Sequence, residues 1–257
     1  DALPIYCLEG MKRIPDCSID LTVTSPPYDD LRKYNGFSWD FEGVAQELFR
    51  VTKVGGVVVW VVGDATVKGS ETGTSFKQVL RFMECGFNLH DTMIYQKENP
   101  LPRQRNRYEQ TFEYMFVLSK GKPKTTNLIR VACKGYGRSR IASVRDNNKD
   151  DLVTNKPQMV GKTKIKSNVW VINSSGYSTT KDKVAFQHPA IFPEKLVEDH
   201  ILSWSNPSDV VLDPFMGSGT TAKMALLNGR NYVGFELSDT YCDIANERIA
   251  KHLLERG

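Results

Sequence analysis

The stretch from Asp209 to Leu227 constrains the fold of this chain more than any other part of the sequence. Its first four residues, Asp209-Val210-Val211-Leu212, are mostly apolar and β-branched, which is typical of a buried strand. The strand ends at Asp213-Pro214 in a turn with two glycines, and Thr220 to Leu227 then predicts a helix. A strand, a glycine-rich turn and a helix in this order predict an α/β architecture.

The two glycines of this turn, Gly217 and Gly219, suggest a binding site for a small molecule. They lack side chains where the backbone must turn tightly and where a ligand must come close. The unpaired amides at the start of the following helix favour polar or anionic groups of a ligand. From the glycines alone, an ordinary strand-to-helix turn is an equally good interpretation.

The next predicted strand, Asn231 to Glu236, ends in a carboxylate that narrows the choice of ligand. Glu236 follows Asp213 by 23 positions. A carboxylate at the tip of this strand is where doubly wound folds bind ribose hydroxyls. The turn lacks the third glycine of the dinucleotide pattern, and it lacks the Gly-Lys-Ser/Thr of a P-loop. A nucleoside cofactor without a pyrophosphate therefore fits the pattern better.

A second motif, Ser25-Pro26-Pro27-Tyr28, follows directly after the predicted strand Ile19 to Thr24. Two consecutive prolines fix φ and remove two amide donors, so the loop is stiff. Loops at the carboxyl ends of parallel strands are where such folds place reacting groups. Taken alone, a proline turn with a surface tyrosine is the simpler interpretation. A further acid at a strand tip, Asp64, is expected either to face the same cleft or to cap a helix.

Together these motifs resemble the amino-group DNA methyltransferases that use S-adenosylmethionine. The tetrapeptide comes early, and Asp213 to Thr221 with Phe235-Glu236 comes late, which is similar to the circularly permuted β class of that family. The segment His188 to Leu196 resembles the helix that closes over the methionine end of the cofactor. The resemblance implies a Rossmann-like methyltransferase fold, with a mostly parallel sheet, an antiparallel edge strand and an inserted target-recognition region.

The resemblance also implies a division of the chain and a set of site residues. Residues 1–119 would form the catalytic half of one domain, 120–183 the recognition insertion, and 184–257 the cofactor-binding half. The ribose of S-adenosylmethionine would lie on Glu236, its adenine near Phe215 and Phe235 or Leu237, and its methionine end near His188 and Lys195. The expected cofactor-binding residues are Asp213, Pro214, Phe215, Gly217, Ser218, Gly219, Thr220, Glu236, Leu237, His188 and Lys195.

The chemistry implied by the resemblance starts from an exocyclic amino group, a poor nucleophile because its lone pair is delocalised into the base. Ser25 Oγ and the Pro26 carbonyl would accept its protons, and Tyr28 would stack on a base swung out of the duplex. The expected catalytic residues are Ser25, Pro26, Pro27 and Tyr28. Family members with Ser first mostly resemble cytosine-N4 enzymes and those with Asp adenine-N6 enzymes. Ser25 therefore favours cytosine N4, with adenine N6 as the alternative.

The distribution of charge points to duplex DNA as the partner. The stretch 97–166 carries 17 Lys and Arg against 6 Asp and Glu, a net charge of +11, whereas the whole chain has +4. Charge runs are usually solvated surface, but this one coincides with the region where the family inserts its recognition segment. The expected DNA-binding residues are Arg103, Arg105, Arg107, Lys134, Arg138 and Arg140.

Composition excludes several other classes. The 257 residues are 40% hydrophobic and 25% charged, which predicts a soluble globular domain with room for an inserted lobe. No apolar run approaches the roughly 20 residues of a membrane helix, and the N-terminus shows no signal peptide. We therefore expect no membrane partner. The expected location is the cytoplasm, for a protein encoded by a bacterium, an archaeon or a phage. Five cysteines without a Cys-x-x-Cys pair argue against disulfides and a metal site. Asp1 is not an initiator residue, and the sequence leaves open whether the native chain extends before it.

The remaining elements complete the expected sheet and leave several alternatives open. Leu89 to Gln96 and Thr111 to Leu118 predict two strands around a basic loop, and Ser75 to Cys85 predicts a helix. The apolar residues of that helix, Phe76, Val79, Leu80 and Met83, are expected to pack in the core. A homodimer and a cognate restriction endonuclease remain open. Methyltransferases of RNA or protein glutamine would carry the cofactor motif first, and a non-catalytic DNA-binding relative would have lost the motifs.

Overall fold

A computed structural model describes residues 5–27, 39–100, 106–141, 143–145, 152–154, 157–173 and 175–254 of the chain. The helices in these residues are α1 (Cys7–Met11), α2 (Phe41–Val51), α3 (Thr74–Glu84), α4 (Glu194–Trp204), α5 (Thr220–Leu227) and α6 (Asp239–Leu254). Two short 3-10 helices, Gly176–Ser178 and Lys183–Gln187, precede α4.

The strands are numbered in chain order. They are β1 (Ile19–Thr24), β2 (Thr52–Val62), β3 (Thr66–Val67), β4 (Ser70–Glu71), β5 (Asn88–Lys97), β6 (Phe112–Ser119), β7 (Arg130–Ala132), β8 (Ser139–Arg140), β9 (Ser143–Arg145), β10 (Leu152–Thr154), β11 (Gln158–Met159), β12 (Thr163–Ile165), β13 (Val169–Ile172), β14 (Val210–Asp213) and β15 (Asn231–Gly234).

Seven of these strands form the central sheet, in the order β13-β5-β6-β2-β1-β14-β15. Strand β6 is antiparallel to its neighbours β2 and β5, whereas the other pairs in the sheet are parallel. The mostly parallel α/β fold is therefore confirmed. The antiparallel strand lies near one edge and not at the rim, because β13 pairs with the outer side of β5.

The middle of the sheet is built from apolar runs that are buried on both faces. Strand β2 is buried from Gly55 to Val62, as expected for a central strand covered on both sides. Its residues Val58, Trp60 and Val62 belong to the core shared with α1, α2 and α3, and the alternate valines point to the opposite face. Helix α4 contacts β1 and β2, while α5 contacts β14 and β15.

Helix α3 packs with a different face from the one its apolar residues predict. Its buried positions are Ser75, Gln78, Val79 and Phe82, whereas Phe76, Leu80 and Met83 are exposed. The expectation that all four apolar residues pack in the core is therefore wrong for three of them. Two buried polar contacts fix the rotation of the helix. Asp64 accepts hydrogen bonds from Ser75, and Gln78 Oε1 accepts one from the Trp60 indole at 2.8 Å.

Residues 128–167 form a compact unit separate from the unit made by residues 1–127 and 168–257. Three antiparallel pairs, β7 with β12, β8 with β11 and β9 with β10, run one after another along it. The described part of this unit therefore consists of three short two-stranded pairs in succession, together called the β-ribbon below. It falls inside the stretch 120–183, and the residues on either side of it belong to the larger unit.

In the described part of the chain, none of the helices combines the length and the apolar composition needed to span a bilayer.

Replacing Gln78 with Ala tests the rotation of α3. The Trp60 indole N–H would lose its buried acceptor, so we expect the free energy of unfolding to fall by about 1–3 kcal/mol. Leu80→Ala on the same helix is the control. Its side chain is 58% exposed, so we expect a change within about 0.5 kcal/mol. Urea unfolding measures both, and a larger loss for Leu80→Ala would contradict this packing.

Candidate active site

One cavity of about 1030 Å³ lies at the edge of the sheet where the parallel strands end. Its wall includes the residues that follow β1, β2, β14 and β15, because the carboxyl ends of parallel strands meet at one edge. The volume is at the upper end of the range of about 300–1,000 Å³ for small-molecule sites. The structure thus brings Ser25, Pro26, Pro27, Asp213, Pro214, Phe215, Gly217, Ser218, Thr220, Glu236, Leu237 and His188 to one cavity.

Asp213 is the buried carboxylate at the centre of this wall. Its Oδ1 accepts a hydrogen bond from Thr24 Oγ1 at 2.6 Å and one from the Phe215 amide at 3.1 Å. Burial raises the pKa of Asp213 to about 6, although the hydrogen bonds from Thr24, Thr221 and Phe215 act in the opposite direction. The negative charge of Glu236 raises this pKa further. Asp213 is therefore more readily protonated in the folded protein than an exposed aspartate.

The same contacts join the proline loop to the glycine turn. Thr24 immediately precedes Ser25, so the hydrogen bond to Asp213 fixes the start of that loop. A second bond runs from Thr221 Oγ1 to the Val23 carbonyl at 3.1 Å. Ser25 and Pro27 are partly buried and Pro26 is buried, and all three line the cavity. Tyr28 lies outside the described residues.

The glycines of the turn differ in what they permit. Gly217 has φ +49 and lines the cavity, and a Cβ there would lie 3.0 Å from His188 Nε2. Gly219 has φ +76, and a Cβ there would lie 2.8 Å from the Ala245 Cβ on α6. Gly217 therefore permits close packing of the turn against the His188 ring, whereas Gly219 permits close packing of the turn against a helix.

Glu236 holds the turn and also faces the cavity. Its Oε2 accepts a hydrogen bond from the Gly217 amide at 2.9 Å, and its Oε1 accepts bonds from the Leu237 and Ser238 amides at 2.8 and 2.9 Å. A carboxylate has about four acceptor positions, so Glu236 can still accept a ligand hydroxyl. The apolar Phe215 and Leu237 beside it suit a flat aromatic ring. These residues fit a nucleoside cofactor.

The two residues predicted for the methionine end differ in position. His188 is buried and lines the cavity, where Tyr241 packs edge-on against its ring at a centroid distance of 4.3 Å. Its Nδ1 accepts a hydrogen bond from the Ala190 amide at 3.1 Å, which orients the ring. The structure does not bring Lys195 to this wall. Its side chain is 61% exposed and its ammonium pairs with Asp199 and Glu198, because it points along α4.

The predicted DNA-binding residues fall into three groups. Arg107 donates a hydrogen bond to the Gly69 carbonyl and lies 3.7 Å from Glu71, so it is held on the β3–β4 hairpin. Arg103 and Arg105 lie outside the described residues. Exposed positions on the β-ribbon carry the other three residues: Lys134, Arg138 and Arg140.

The wall of the cavity also contains residues that the sequence analysis did not single out. Lys97 at the end of β5 pairs with Glu113 at the start of β6, with 2.6 Å between Nζ and Oε1. Tyr95, Asn99 and Gln110 line the same cavity. Because they lie at the ends of two predicted strands, their sequence positions could have indicated that they line the cavity. Asp64 meets both expectations made for it, since it lines the cavity and caps α3.

This fold and this site together define a class of protein. A Rossmann-like sheet has a glycine turn after one strand, a carboxylate after the next, and a stiff polar loop after the strand on the other side. All three face one cavity large enough for a nucleoside cofactor and a second reactant. That arrangement is typical of a group-transfer enzyme with a nucleoside cofactor.

Comparison with known proteins makes the class specific. Residues 19–247 match the family model described as DNA methylase, of the N6/N4 type, and the chain belongs to that family. The orphan methyltransferase M.BamHII of Bacillus amyloliquefaciens is 58% identical over 246 residues, which cover 95% of this chain and 93% of the relative. The predicted class, an S-adenosylmethionine-dependent DNA amino-group methyltransferase, is thereby confirmed.

Two solved structures are similar to the whole chain. PvuII DNA methyltransferase, named as cytosine-N4-specific, has a TM-score of 0.72 at 24% identity, over 96% of this chain and 85% of its own, which shows the shared fold. A protein of Thermus thermophilus, named as a DNA modification methylase and solved with S-adenosyl-L-methionine, has a TM-score of 0.62 at 25% identity. That match covers 97% of this chain and 94% of the other.

The raised pKa of Asp213 predicts that the free energy of unfolding falls as pH rises. The pKa is higher in the folded state than the ordinary 3.8, so the group stabilises the fold at low pH and loses that contribution as pH rises through about 6. Asp213→Asn removes this titration. We therefore expect the variant to gain on the order of 3 kcal/mol relative to the unchanged protein between about pH 4 and pH 8.

Urea unfolding across this pH range measures the difference. Asp243→Asn, which removes the carboxylate of an exposed position on α6, is the matched control. If the free energy of unfolding of Asp213→Asn followed that of the unchanged protein in parallel across this pH range, Asp213 would have an ordinary pKa.

Proposed function

We propose that this enzyme methylates the N4 amino group of a cytosine in duplex DNA. The observation that carries the choice of base is Ser25 in the first position of the Ser-Pro-Pro-Tyr tetrapeptide, where adenine-N6 enzymes mostly have Asp. Ser25 and Pro26 line the cavity, which supports placing the target base there. The extrusion of a base from the duplex is how enzymes of this kind reach an atom inside the stack.

The cofactor is proposed to lie along the turn from Asp213 to Thr220. Glu236 would accept hydrogen bonds from the ribose hydroxyls. The adenine would contact Phe215 and Leu237, and the methionine end would lie near His188. The supporting observation is that these four side chains line the same cavity. Lys195 is left out of this proposal, since its ammonium is paired along α4. When bound, S-adenosylmethionine supplies the electrophilic methyl group.

The work of the protein is then to make a weak nucleophile available and to hold it in place. Ser25 Oγ and the Pro26 carbonyl would accept hydrogen bonds from the target amino group, which draws its lone pair away from the ring. The two prolines keep these acceptors rigid, and the Thr24–Asp213 bond sets their distance from the glycine turn. Orientation of this kind supplies a large part of the rate enhancement in bimolecular reactions.

The β-ribbon is proposed to read the DNA sequence. A two-stranded ribbon is one of the two elements that fit the major groove of B-DNA. Residues 128–167 carry ten Lys and Arg against three Asp and Glu, a net charge of +7 compared with +4 for the whole chain. Most of its described side chains are exposed, including Arg138 and Arg140. The domain role predicted for 120–183 is thus proposed for 128–167.

Mass spectrometry of nucleosides from DNA treated with the enzyme tests the choice of base. We expect N4-methylcytosine from the unchanged protein. For Ser25→Ala we expect turnover to fall about 10²-fold or more, as on removing one preorganised hydrogen-bonding group. The affinity for S-adenosylhomocysteine should stay unchanged, because Ser25 is assigned to the base. Ser70→Ala, at an exposed serine of the β3–β4 hairpin, is the control and should retain full turnover.

The outcomes are separable. N6-methyladenine in place of N4-methylcytosine would overturn the choice of base while keeping the family. Full turnover by Ser25→Ala would remove the tetrapeptide from catalysis.

Replacing Arg138 or Arg140 with Ala tests reading by the β-ribbon. If the residue contacts a guanine edge, we expect discrimination at one position of the site to fall by about 1–3 kcal/mol. If it contacts a phosphate, all sequences should bind more weakly, and the salt slope should fall by about 1. Sequencing of methylated sites at several salt concentrations distinguishes these cases. Arg13→Ala, at an exposed arginine of the larger unit, is the control.

The β-ribbon proposal would be wrong if both ribbon variants matched Arg13→Ala in affinity, salt slope and site preference.

A further inference from the structure

Four charged side chains that are buried or largely buried meet beside the glycine turn. Lys223 Nζ lies 2.8 Å from Asp182 Oδ2 and 2.7 Å from Glu194 Oε1. Arg248 lies 3.0 Å from the same Asp182 oxygen and 2.8 Å from the same Glu194 oxygen. The two cations therefore share one oxygen atom of each anion, and these four side chains are called the ion cluster below. The exposed Lys251 also lies 3.9 Å from the other oxygen of Asp182.

The ion cluster is almost completely out of water. The side chains of Arg248, Lys223 and Asp182 are 0%, 4% and 5% exposed, and that of Glu194 is 20% exposed. Burial alone would raise the pKa of Asp182, but the hydrogen bonds and charges of Lys223 and Arg248 lower it to about 2. Buried ion pairs commonly add little net stability, because desolvation offsets their attraction. Stability alone is therefore a weak reason for building one here.

Arg248 does more than balance charge in the ion cluster. Its Nη1 donates hydrogen bonds to the Ser218 carbonyl at 2.5 Å, to Ser218 Oγ at 3.1 Å and to Thr220 Oγ1 at 3.1 Å. These two residues flank Gly219, which has a positive φ of +76. Arg248 thus holds the carbonyl side of the turn, while Glu236 holds the Gly217 amide.

The ion cluster also fixes the segment that carries His188. Asp182 precedes the 3-10 helix Lys183–Gln187, and Glu194 is the first residue of α4. Both ends of the segment 182–194 are thereby attached to Arg248 on α6. A displacement of Arg248 would therefore release both the glycine turn and the segment 182–194 that carries His188.

We propose that Arg248 is a positioning residue for cofactor binding. It holds the Ser218 carbonyl and the Thr220 hydroxyl so that Gly217 and Ser218 keep the backbone shape against which the cofactor lies. The proposal rests on the placement of S-adenosylmethionine along Asp213 to Thr220. It assigns to the last helix of the chain a part in the cofactor site that its sequence does not indicate.

The test compares Arg248→Lys and Arg248→Met with the matched control Lys223→Met. Among the described residues, the ammonium of Lys223 donates hydrogen bonds to Asp182 and Glu194, so replacing the side chain removes a cluster cation without removing a side-chain bond to the turn. Calorimetry measures the affinity for S-adenosylhomocysteine, and urea unfolding measures the stability of the cofactor-free protein. Steady-state kinetics separate the KM for S-adenosylmethionine from kcat.

We expect both methionine variants to be destabilised, since each leaves a buried carboxylate short of a cation. Only the Arg248 variants should lose affinity for S-adenosylhomocysteine, by about tenfold or more, the effect of one lost charge-assisted hydrogen bond. Their KM for S-adenosylmethionine should rise by a similar factor, with a smaller change in kcat at saturating cofactor. If Arg248→Met does not fold, Arg248→Lys decides, because it retains the positive charge.

Two results would overturn the proposal: wild-type affinity in Arg248→Lys, or an equal loss of affinity in Arg248→Lys and Lys223→Met. Glu236→Ala, measured in the same series, separates this proposal from the cofactor placement. Wild-type affinity in Glu236→Ala would overturn the placement itself. Reduced affinity in Glu236→Ala with wild-type affinity in Arg248→Lys would overturn only the role of Arg248.

Discussion

The hydrogen bond between Thr24 and the buried carboxylate of Asp213 is the contact on which the site depends. It joins two residues that are 189 positions apart in sequence, at the adjacent ends of β1 and β14. A hydrogen bond inside a dry interior is electrostatically stronger than one in water, and leaving either partner alone there is costly. The loop that begins at Ser25 and the turn that begins at Asp213 are therefore held at a fixed separation.

The glycine turn shows how a local preference becomes a defined shape. Glycine permits the positive φ values of Gly217 and Gly219, but it leaves the backbone free to adopt others. Glu236 binds the amide side of the turn and Arg248 binds its carbonyl side, so ionic side chains from two other elements select one conformation. The shape of the binding surface thus depends on two charged side chains, Glu236 and Arg248, that lie outside the turn in the sequence.

Much of the fold could be predicted because its strands and helices carry strong local patterns. The strands β1, β5, β6, β14 and β15 and the helices α3 and α5 all fall where the sequence predicts them, within a few residues. The rotation of α3 could not be predicted, because Ser75 and Gln78 resemble surface residues until Asp64 and Trp60 are placed beside them. Among the candidate site residues, Lys195 shows the same limit, since its partners on α4 are what turn it away from the cavity.

The sequence by itself determined the class of this protein. Its glycine turn, its strand-tip acid and its proline tetrapeptide are short motifs whose chemistry depends on neighbouring residues in the chain. Only the tertiary structure decided which side chains support those motifs. Thr24 with Asp213, and Arg248 with Ser218, are pairs made by strand order and helix packing, over separations that no local pattern spans. A buried arginine on a helix otherwise resembles a solvated one, so its partners had to be seen in space.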